Sequence, residues 1–198
     1  MRFFGDSISG NCLKVKWTAD YLGLPYQWVE TSVLSGETRT PDFLAMNPAG
    51  QVPLAVLDDG RPLAQSNAII LHLARGSALI PTDPYLLARM FEWMFWEQYS
   101  HEPYVAVARF QVRYRGRDPA SLEPELVGRA EAALDRLEVA LSGSAWLVGD
   151  VFSLADMSLL PYTRFAPEAG IGLARWPSLM DWIRRSEGVL GLAPLGAS

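Results

Sequence analysis

Residues 51–68 read QVPLAVLDDGRPLAQSNA, and their order of turn and strand signals is the most informative feature of the chain. A Val-Pro bond opens an apolar run, which predicts a strand over Val52 to Leu57 that turns back at Asp59-Gly60, a pair typical of tight hairpins. A short edge strand over Pro62 to Ala64 follows, and the polar pair Gln65-Ser66 then begins an apolar helix. This order of kink, hairpin and helix start predicts a site for a small peptide-like anion.

The residues on either side of this stretch complete a small mixed sheet with helices. Arg2 to Gly5 reads as a strand, Leu13 to Leu22 carries apolar side chains at helical spacing, and Tyr26 to Thr31 is a second strand by composition. This β-α-β order implies a parallel pair joined by a right-handed crossover. With a short helix around Pro41 to Met46 and another over Ser66 to Leu73, the first 75 residues read βαβ and then ββα.

Beyond this region the strand signal disappears. We predict a first domain at residues 1–75, a linker rich in Gly and Pro at residues 76–84, and an all-helical domain at residues 85–198, so the fold class is α/β plus all-α. The helical interpretation rests on apolar periodicity over Tyr85 to Ser100 and Val127 to Leu141, on a capping-box variant at Ser153 to Asp156, and on the helix start at Trp176-Pro177.

Composition narrows the classes of function. The chain has 198 residues and a formal net charge of −5, and neither half is basic, so we expect no nucleic-acid partner. Cys12 is the single cysteine, which excludes an intramolecular disulfide. We find neither a signal segment at the start nor an apolar run near the ~20 residues of a membrane span. We therefore expect a soluble, cytoplasmic protein with no membrane partner.

A βαβ-ββα unit that carries Val52-Pro53 and Gln65-Ser66, followed by an all-helical domain, resembles the cytosolic glutathione transferase family over essentially the whole chain. The segment Gly5 to Cys12 falls where that family keeps its catalytic loop, and it is most like the loop of the serine-type bacterial members. The resemblance implies a thioredoxin-like first domain, a cis proline before the third strand, glutathione as co-substrate without a metal, and a homodimer. It also implies a detoxifying transferase that acts on a small apolar electrophile or a peroxide.

The loop before the first helix carries the candidates for thiol chemistry. Glutathione reacts as its thiolate, which a hydroxyl donor and a helix N-terminus both stabilise. We expect Ser9 to be the donor, with Ser7 as second choice; either serine can instead simply cap the helix. Asn11 stands where cysteine-type members keep their cysteine, and it can donate to the sulfur or hold the loop. Cys12 is predicted to be a small buried apolar residue.

The remaining glutathione contacts are predicted from the central stretch. Val52-Pro53 would present the Val52 backbone to the cysteinyl group of glutathione, although an ordinary trans proline at a strand start is the alternative. Gln65 and Ser66 would bind the γ-glutamyl end, with Ser66 as a simple helix cap as the alternative. Gln51 can reach the glycyl carboxylate or remain a solvated loop residue, and Arg39 is a further anion candidate.

In the helical domain, the candidates for binding the second substrate are aromatic residues. Trp96, Tyr99, Tyr104 and Phe110 are candidates for an apolar wall, although an aromatic stripe at helical spacing is usually core. Glu97 and His101 are spaced i,i+4 and could in principle share a metal, but the chain has only one other histidine, so we expect no metal site. The other histidine, His72, is predicted to be a core residue, and Asp156 is predicted to serve folding by accepting from the Ser153 backbone N–H.

Two other functions share these features. One is a non-catalytic glutathione-binding or protein-interaction module of the same fold, because a fold does not establish an activity. The other is an isomerase or dehalogenase that uses glutathione catalytically and therefore shows no net glutathione consumption.

Overall fold

A four-stranded mixed sheet organises the first unit, Met1–Ser77, of a computed structural model that describes residues 1–196. The strand order is β2-β1-β3-β4. Strand β1 pairs parallel with β2 and antiparallel with β3, and β3 pairs antiparallel with β4. The strands are β1 (Arg2–Gly5), β2 (Gln27–Glu30), β3 (Leu54–Val56) and β4 (Pro62–Ala64).

Three helices accompany the sheet. Their apolar faces meet fully buried sheet residues, and Phe3, Leu54, Ile69 and Ile70 are among the buried side chains of this unit. Helix α2 has a conventional start, because the Thr40 hydroxyl accepts from an N–H of its first turn. The helices are α1 (Gly10–Tyr21), α2 (Pro41–Met46) and α3 (Ser66–Leu73).

The second unit begins at Ala78 and is helical. No helix among residues 1–196 is both long and apolar enough to cross a membrane. Residues 197 and 198, the last two of the predicted helical domain, lie outside the described residues. The α-helices are α4 (Pro84–Trp96), α5 (Val107–Arg113), α6 (Pro124–Leu141), α7 (Leu154–Arg164) and α8 (Pro177–Leu190), and a π-helical segment (Glu97–Ala106) joins α4 to α5.

A buried carboxylate holds the start of α7. Asp156 Oδ2 accepts from the Ser153 backbone N–H at 3.0 Å, which confirms the predicted contact, and Asp156 Oδ1 accepts from Leu147 N at 3.1 Å and Trp182 Nε1 at 2.8 Å. Burial raises the pKa of Asp156, while the hydrogen bonds that it accepts act in the opposite direction. The capping box thus ties α7 to the preceding loop and to α8.

The predicted mixed sheet and its parallel β-α-β opening are confirmed, with differences in detail. The predicted strand over Val52 to Leu57 contains only Leu54–Val56 in the structure, because Pro53 has no N–H for the ladder. The prediction for His72 was wrong: its side chain is exposed, on the outer face of α3. The helix expected to end near Ser100 instead continues through the π-helical segment into α5.

Candidate active site

The register of the sheet brings three loop segments to one edge. Leu54 at the start of β3 lies opposite Phe4 near the end of β1 and opposite Ala64 at the end of β4. The residues that follow β1, precede β3 and follow β4 must therefore lie side by side. We call this edge the candidate site; its segments are Ser7 to Asn11, Gln51 to Pro53, and Gln65-Ser66.

The loop between β1 and α1 is held by its own backbone and by the neighbouring strand. Asp6 Oδ1 accepts from Ile8 N at 3.0 Å, and the Asp6 carbonyl accepts from Ser9 N at 3.0 Å. Glu30 on β2 accepts from Ser7 N at 2.8 Å. Ser7 itself is exposed, whereas Ser9 is half-buried. These hydrogen bonds fix the backbone of the loop.

Ser9 occupies the N-cap position of α1 in an extended conformation, but its hydroxyl makes no capping hydrogen bond. The reading of Ser9 as a simple cap is therefore wrong. Its side chain hydrogen-bonds Cys12 instead. A hydroxyl that is not committed to the helix backbone is available to turn toward a ligand sulfur.

Cys12 is fully buried, as predicted for a small apolar residue. Burial raises the pKa of its thiol from 9.0 to about 12, against the lowering effects of hydrogen bonds from Ser9 and from the Asp6 backbone. A thiol with such a pKa is protonated and unreactive at neutral pH. Burial and the raised pKa favour the predicted role of Cys12 as a small apolar residue over a role as a nucleophile.

Asn11 and Ser66 connect the first turns of two helices. Ser66 is the first residue of α3 rather than its cap, and its hydroxyl donates to Asn11 Oδ1 at 3.1 Å. The reading of Ser66 as a simple cap is therefore wrong. Only 5% of Ser66 is exposed. The two residues are 55 positions apart in the chain, so the fold itself creates this contact.

Gln65 occupies the N-cap position of α3 and has an unusual backbone conformation. Its φ is 72° and its ψ is 116°, and it is the one residue other than glycine with positive φ among residues 1–196. Such backbones are strained for a residue with a Cβ, and they concentrate at sites of function. The turn leaves Gln65 exposed beside the first N–H groups of α3, where a carboxylate is favoured.

The segment before β3 is firmly placed. The Val52–Pro53 peptide bond is cis, so the trans alternative was wrong, and Pro53 is buried while Val52 is half-buried. Asn47 Nδ2 donates to the carbonyl oxygen of Gln51 at 2.8 Å, which leaves the exposed Gln51 side chain to solvent. The backbone of Gln51 is therefore held by Asn47, while its side-chain amide is exposed.

Arg39 lies close to the same segment. Its Nη1 donates to the Ala49 carbonyl oxygen at 3.4 Å, and a Cβ added at Gly50 would lie 2.5 Å from that Nη1. Gly50 has a φ of 60°, a conformation that glycine adopts at little cost. The glycine thus lets the guanidinium settle over the backbone one residue before Gln51.

The four wall candidates have different neighbours in the second unit. Trp96 lies under the Arg136 guanidinium, 4.5 Å from the ring centroid. The Tyr104 hydroxyl accepts from Arg129, and Phe110 stacks on a neighbouring tyrosine of its own helix end with ring centroids 4.8 Å apart. Tyr99 is 83% exposed. The expectation of one shared apolar wall therefore stays a prediction.

Glu97 and His101 are buried and face α7. Glu97 Oε2 accepts from Ser158 Oγ at 3.3 Å, and His101 Nε2 shares a hydrogen bond of 2.9 Å with Thr163 Oγ1. Residues 1–196 contain no group of three or more His, Cys, Asp or Glu side chains that could hold a metal ion.

Sequence reasoning missed two features of the site. The bond between Ser66 and Asn11 joins residues far apart in sequence, and nothing local announces it. The positive φ of Gln65 also has no local signal, because glutamine has no preference for that conformation.

Comparison with known proteins agrees with this geometry. Residues 8–75 match the model of the glutathione S-transferase N-terminal domain, and residues 93–188 match that of the C-terminal domain. Glutathione S-transferase 3 of Zea mays is 30% identical over 92% of this chain and 86% of its own length. Maleylacetoacetate isomerase of Pseudomonas aeruginosa is 32% identical over 90% of this chain and 87% of its own.

A solved structure extends the likeness to three dimensions. The crystal structure of a glutathione S-transferase from Pseudomonas fluorescens is 43% identical, covers 98% of both chains and superposes with a TM-score of 0.93. The first unit accordingly has the thioredoxin-like architecture of such proteins, and the second has their helical architecture. Because the matches run through both units and cover most of each relative, the chain belongs to the glutathione S-transferase family.

Proposed function

We propose that the protein binds glutathione at the candidate site and stabilises its thiolate for attack on a small apolar electrophile or a peroxide. The observation that carries the proposal is the pairing of Leu54 with both Phe4 and Ala64. The segments along that edge are a helix N-terminus with a serine, the backbone at the half-buried Val52 and a second helix N-terminus. A tripeptide with a thiol in its middle and a carboxylate at each end matches this order.

The γ-glutamyl end is assigned to the start of α3. The first N–H groups of that helix favour a carboxylate, and Gln65 beside them both donates and accepts hydrogen bonds. Gln65 carries no charge, so the γ-glutamyl ammonium is held by hydrogen bonding alone at this residue. Ser66 contributes its backbone N–H to the same group.

The middle and the glycyl end are assigned to the segment before β3. The Val52 backbone would pair with the cysteinyl group in the manner of an added strand. The exposed amide of Gln51 and the Arg39 guanidinium near it would receive the glycyl carboxylate. These assignments leave the sulfur beside the loop that precedes α1.

Thiol activation then follows from two sources of positive potential. The first of them is the N-terminus of α1, where the positive end of the helix dipole favours an anion. The Ser9 hydroxyl would turn from Cys12 to the sulfur, and Ser7 remains the second choice. One hydrogen bond to a charged acceptor contributes about 1.5–3 kcal/mol, equivalent to a decrease of roughly 1–2 in the thiol pKa. The thiolate would attack the electrophile, for which Trp96, Tyr104 and Phe110 are the proposed wall.

We also propose a homodimer in which α4 lies at the two-fold axis. Exposed aromatic side chains lie within one arc of α4 and the start of the π-helical segment that continues it: Tyr85 and Phe95 are each 71% exposed, and Tyr99 is 83% exposed. The ion pair between Arg89 and Glu92 lies along the same stretch. In an antiparallel pairing about a two-fold axis, these opposite charges face their counterparts on the second copy.

Calorimetric titration with glutathione tests the proposal. We expect saturable binding, weakened in Arg39→Ala and retained in Ser9→Ala, because Ser9 contacts only the sulfur. Absence of binding up to ~10 mM glutathione, weaker than the roughly 4 kcal/mol of a millimolar ligand, would overturn the function.

A glutathione-dependent isomerase is the second candidate, favoured by the 32% identity to maleylacetoacetate isomerase. An assay of glutathione consumption separates the two. A transferase depletes glutathione in proportion to product, whereas an isomerase or a dehalogenase of the kind described above leaves its concentration unchanged. Binding without any turnover of either kind would favour a glutathione-binding module.

A further inference from the structure

We infer that a cavity beside the first turns of α8 binds a free α-amino acid, with the ligand carboxylate on Arg185 and the ligand ammonium on Asp181. The cavity belongs to the second unit and shares no residue with the candidate site, so its ligand is independent of the proposed function. The class of ligand is a small zwitterion.

Three segments of the second unit border the cavity, which has a volume of about 350 Å³. They are Leu141 at the end of α6, the loop at residues 143–145, and one face of α8. On α8, Ser178, Asp181 and Arg185 follow one another at intervals of three and four residues, which puts their side chains on the same side of the helix. Pockets for small molecules have volumes of roughly 300–1,000 Å³, so the cavity is large enough for an amino acid.

Arg185 has hydrogen-bond donors to spare. Its Nη2 donates to the Ala145 carbonyl oxygen at 3.0 Å, and its guanidinium lies 5.9 Å from the ring centroid of Trp146. Its Nε is buried and has no hydrogen-bond partner within residues 1–196. A guanidinium carries five N–H donors in a fixed fork, and a buried donor without an acceptor is destabilising. A carboxylate in the cavity would therefore stabilise a group that the protein itself leaves incompletely bonded.

Asp181 supplies the opposite charge. It lies one turn before Arg185, an arrangement in which opposite charges can pair along a helix, but its carboxylate pairs with Arg184 instead. Side chains four residues apart have Cβ atoms roughly 5–6 Å from each other, so the two charges flank the same space. An ammonium and a carboxylate joined through a single carbon atom fit between them, each beside its opposite charge.

The start of α8 is not available to a simple anion. Glu138 of α6 accepts from Ser178 N at 3.1 Å and from Leu179 N at 2.8 Å, so a protein carboxylate already occupies these N–H groups. Among the described residues, the cavity is lined by one cation and one carboxylate, which favours a ligand without net charge. The hydroxyls of Ser144 and Ser178 both donate and accept, which suits an amide in the ligand side chain.

Titration with L-glutamine, followed by calorimetry and by proton–nitrogen correlation spectra, tests the site. The protein is first saturated with S-methylglutathione, because the proposed γ-glutamyl position would take the same α-amino-carboxylate group. We expect L-glutamine to bind with a dissociation constant of about 1 mM or lower and to shift the indole N–H signal of Trp146, the ring beside Arg185. Absence of binding up to ~10 mM would overturn the assignment.

Two analogues separate a zwitterion site from a site for one charge. The α-carboxamide of L-glutamine lacks the carboxylate, and N-acetyl-L-glutamine lacks the ammonium. Each should bind at least about tenfold more weakly than L-glutamine, as for loss of one charge-assisted hydrogen bond. Equal binding of either analogue would contradict the paired roles of Arg185 and Asp181. Both titrations use the wild-type protein, so they decide even if a variant does not fold.

Three variants place the ligand on named side chains. Arg185→Gln and Asp181→Asn should each raise the dissociation constant for L-glutamine at least about tenfold. Arg184→Gln is the matched control, because it removes the same charge from the same helix at a residue that does not line the cavity, and it should not weaken binding. Equal losses in Arg184→Gln and Arg185→Gln would reduce the effect to net charge and overturn the assignment.

The two proposals fail separately. A protein that binds glutathione but not L-glutamine would retain the proposed function and lose this site. A protein that binds L-glutamine through Arg185 but binds no glutathione would do the reverse.

Discussion

At the scale of single residues, Gln65 shows the conflict between stability and function. Its φ of 72° is unfavourable for a side chain with a Cβ, and that conformation sets the turn that begins α3. The residue is exposed, so no buried packing accounts for the choice of glutamine there. The proposed contact of its amide with the γ-glutamyl group supplies a reason to retain it.

We predict that Gln65→Gly stabilises the folded protein and weakens glutathione binding. Glycine relieves strain of about 1–3 kcal/mol and loses roughly 0.5–1 kcal/mol to its greater chain entropy, so the net gain is about 1 kcal/mol. Gln65→Ala is the matched control, because it loses the same amide and keeps the strain. Urea denaturation and calorimetry measure the two effects, and an equal or lower stability of Gln65→Gly relative to Gln65→Ala would refute the strain.

Cys12 predicts a dependence of stability on pH. Its pKa in the folded protein is raised to about 12 from an ordinary 9.0, so the folded state keeps a proton that the unfolded chain releases. The stabilisation is complete below about pH 9 and is lost as the pH rises from there toward 12. The loss is ~1.4 kcal/mol for each pH unit in that window.

Cys12→Ala removes this titration, so the difference between wild type and variant should shrink steadily above pH 9. Denaturant unfolding at several pH values measures it, and other groups that titrate there cancel in the comparison. Two curves that run parallel from neutral pH to pH 11 would show that the thiol is not held protonated.

At the scale of elements, the start of α7 is the point most sensitive to substitution in the second unit. Asp156 accepts from two backbone N–H groups, an indole and a hydroxyl, all in the interior. Asp156→Ala leaves these donors without their acceptor, and we predict a loss of about 3 kcal/mol or more in the free energy of unfolding.

Ser153→Ala is the matched control for Asp156→Ala. It removes the hydroxyl of the same capping box and should cost only about 1 kcal/mol. Chemical denaturation followed by tryptophan fluorescence reports both, because Trp182 donates to Asp156. Similar losses in the two variants would mean that the carboxylate does no more than cap the helix.

Elements were predictable where local chemistry marks their ends. Strand β4 and helices α2 and α3 have the expected bounds, because proline, a turn pair or a polar residue begins each of them. The π-helical segment Glu97–Ala106 was not predicted, since apolar spacing there does not separate α from π geometry. Pro103 inside it was the available signal, because proline cannot donate to the α-helical ladder.

At the scale of the whole molecule, the site depends on sheet topology more than on any motif. The three segments of the candidate site were each visible in the sequence, but their meeting follows from the pairing of β1 with β3 and of β3 with β4. Contacts between segments, such as the hydrogen bond from Ser66 to Asn11, could not be predicted from the sequence, because they form only when the chain is folded.

Assembly gives a prediction at this scale. The double variant Phe95→Glu with Tyr99→Glu replaces two exposed aromatic side chains by carboxylates. It should convert the proposed dimer to a monomer, because like charges then meet at the two-fold axis. Val139→Glu is the control: Val139 is 75% exposed and belongs to a different helix, α6. Sedimentation velocity gives the masses; a wild-type monomer, or a double variant that stays dimeric, would contradict the assignment.

Glutathione that binds at the proposed site should become more acidic at its thiol, and the pKa of the bound thiol measures this without a second substrate. Thiolate absorbance of the saturated complex, followed against pH, should give a midpoint at least one unit below the ~8.5 of a free thiol. Ser9→Ala should raise the pKa of the bound thiol most of the way back to that of a free thiol. Ser7→Ala is the comparison that decides between the two serines. A bound thiol that titrates near ~8.5 in wild-type protein would contradict the account, because the site would then hold glutathione without activating it.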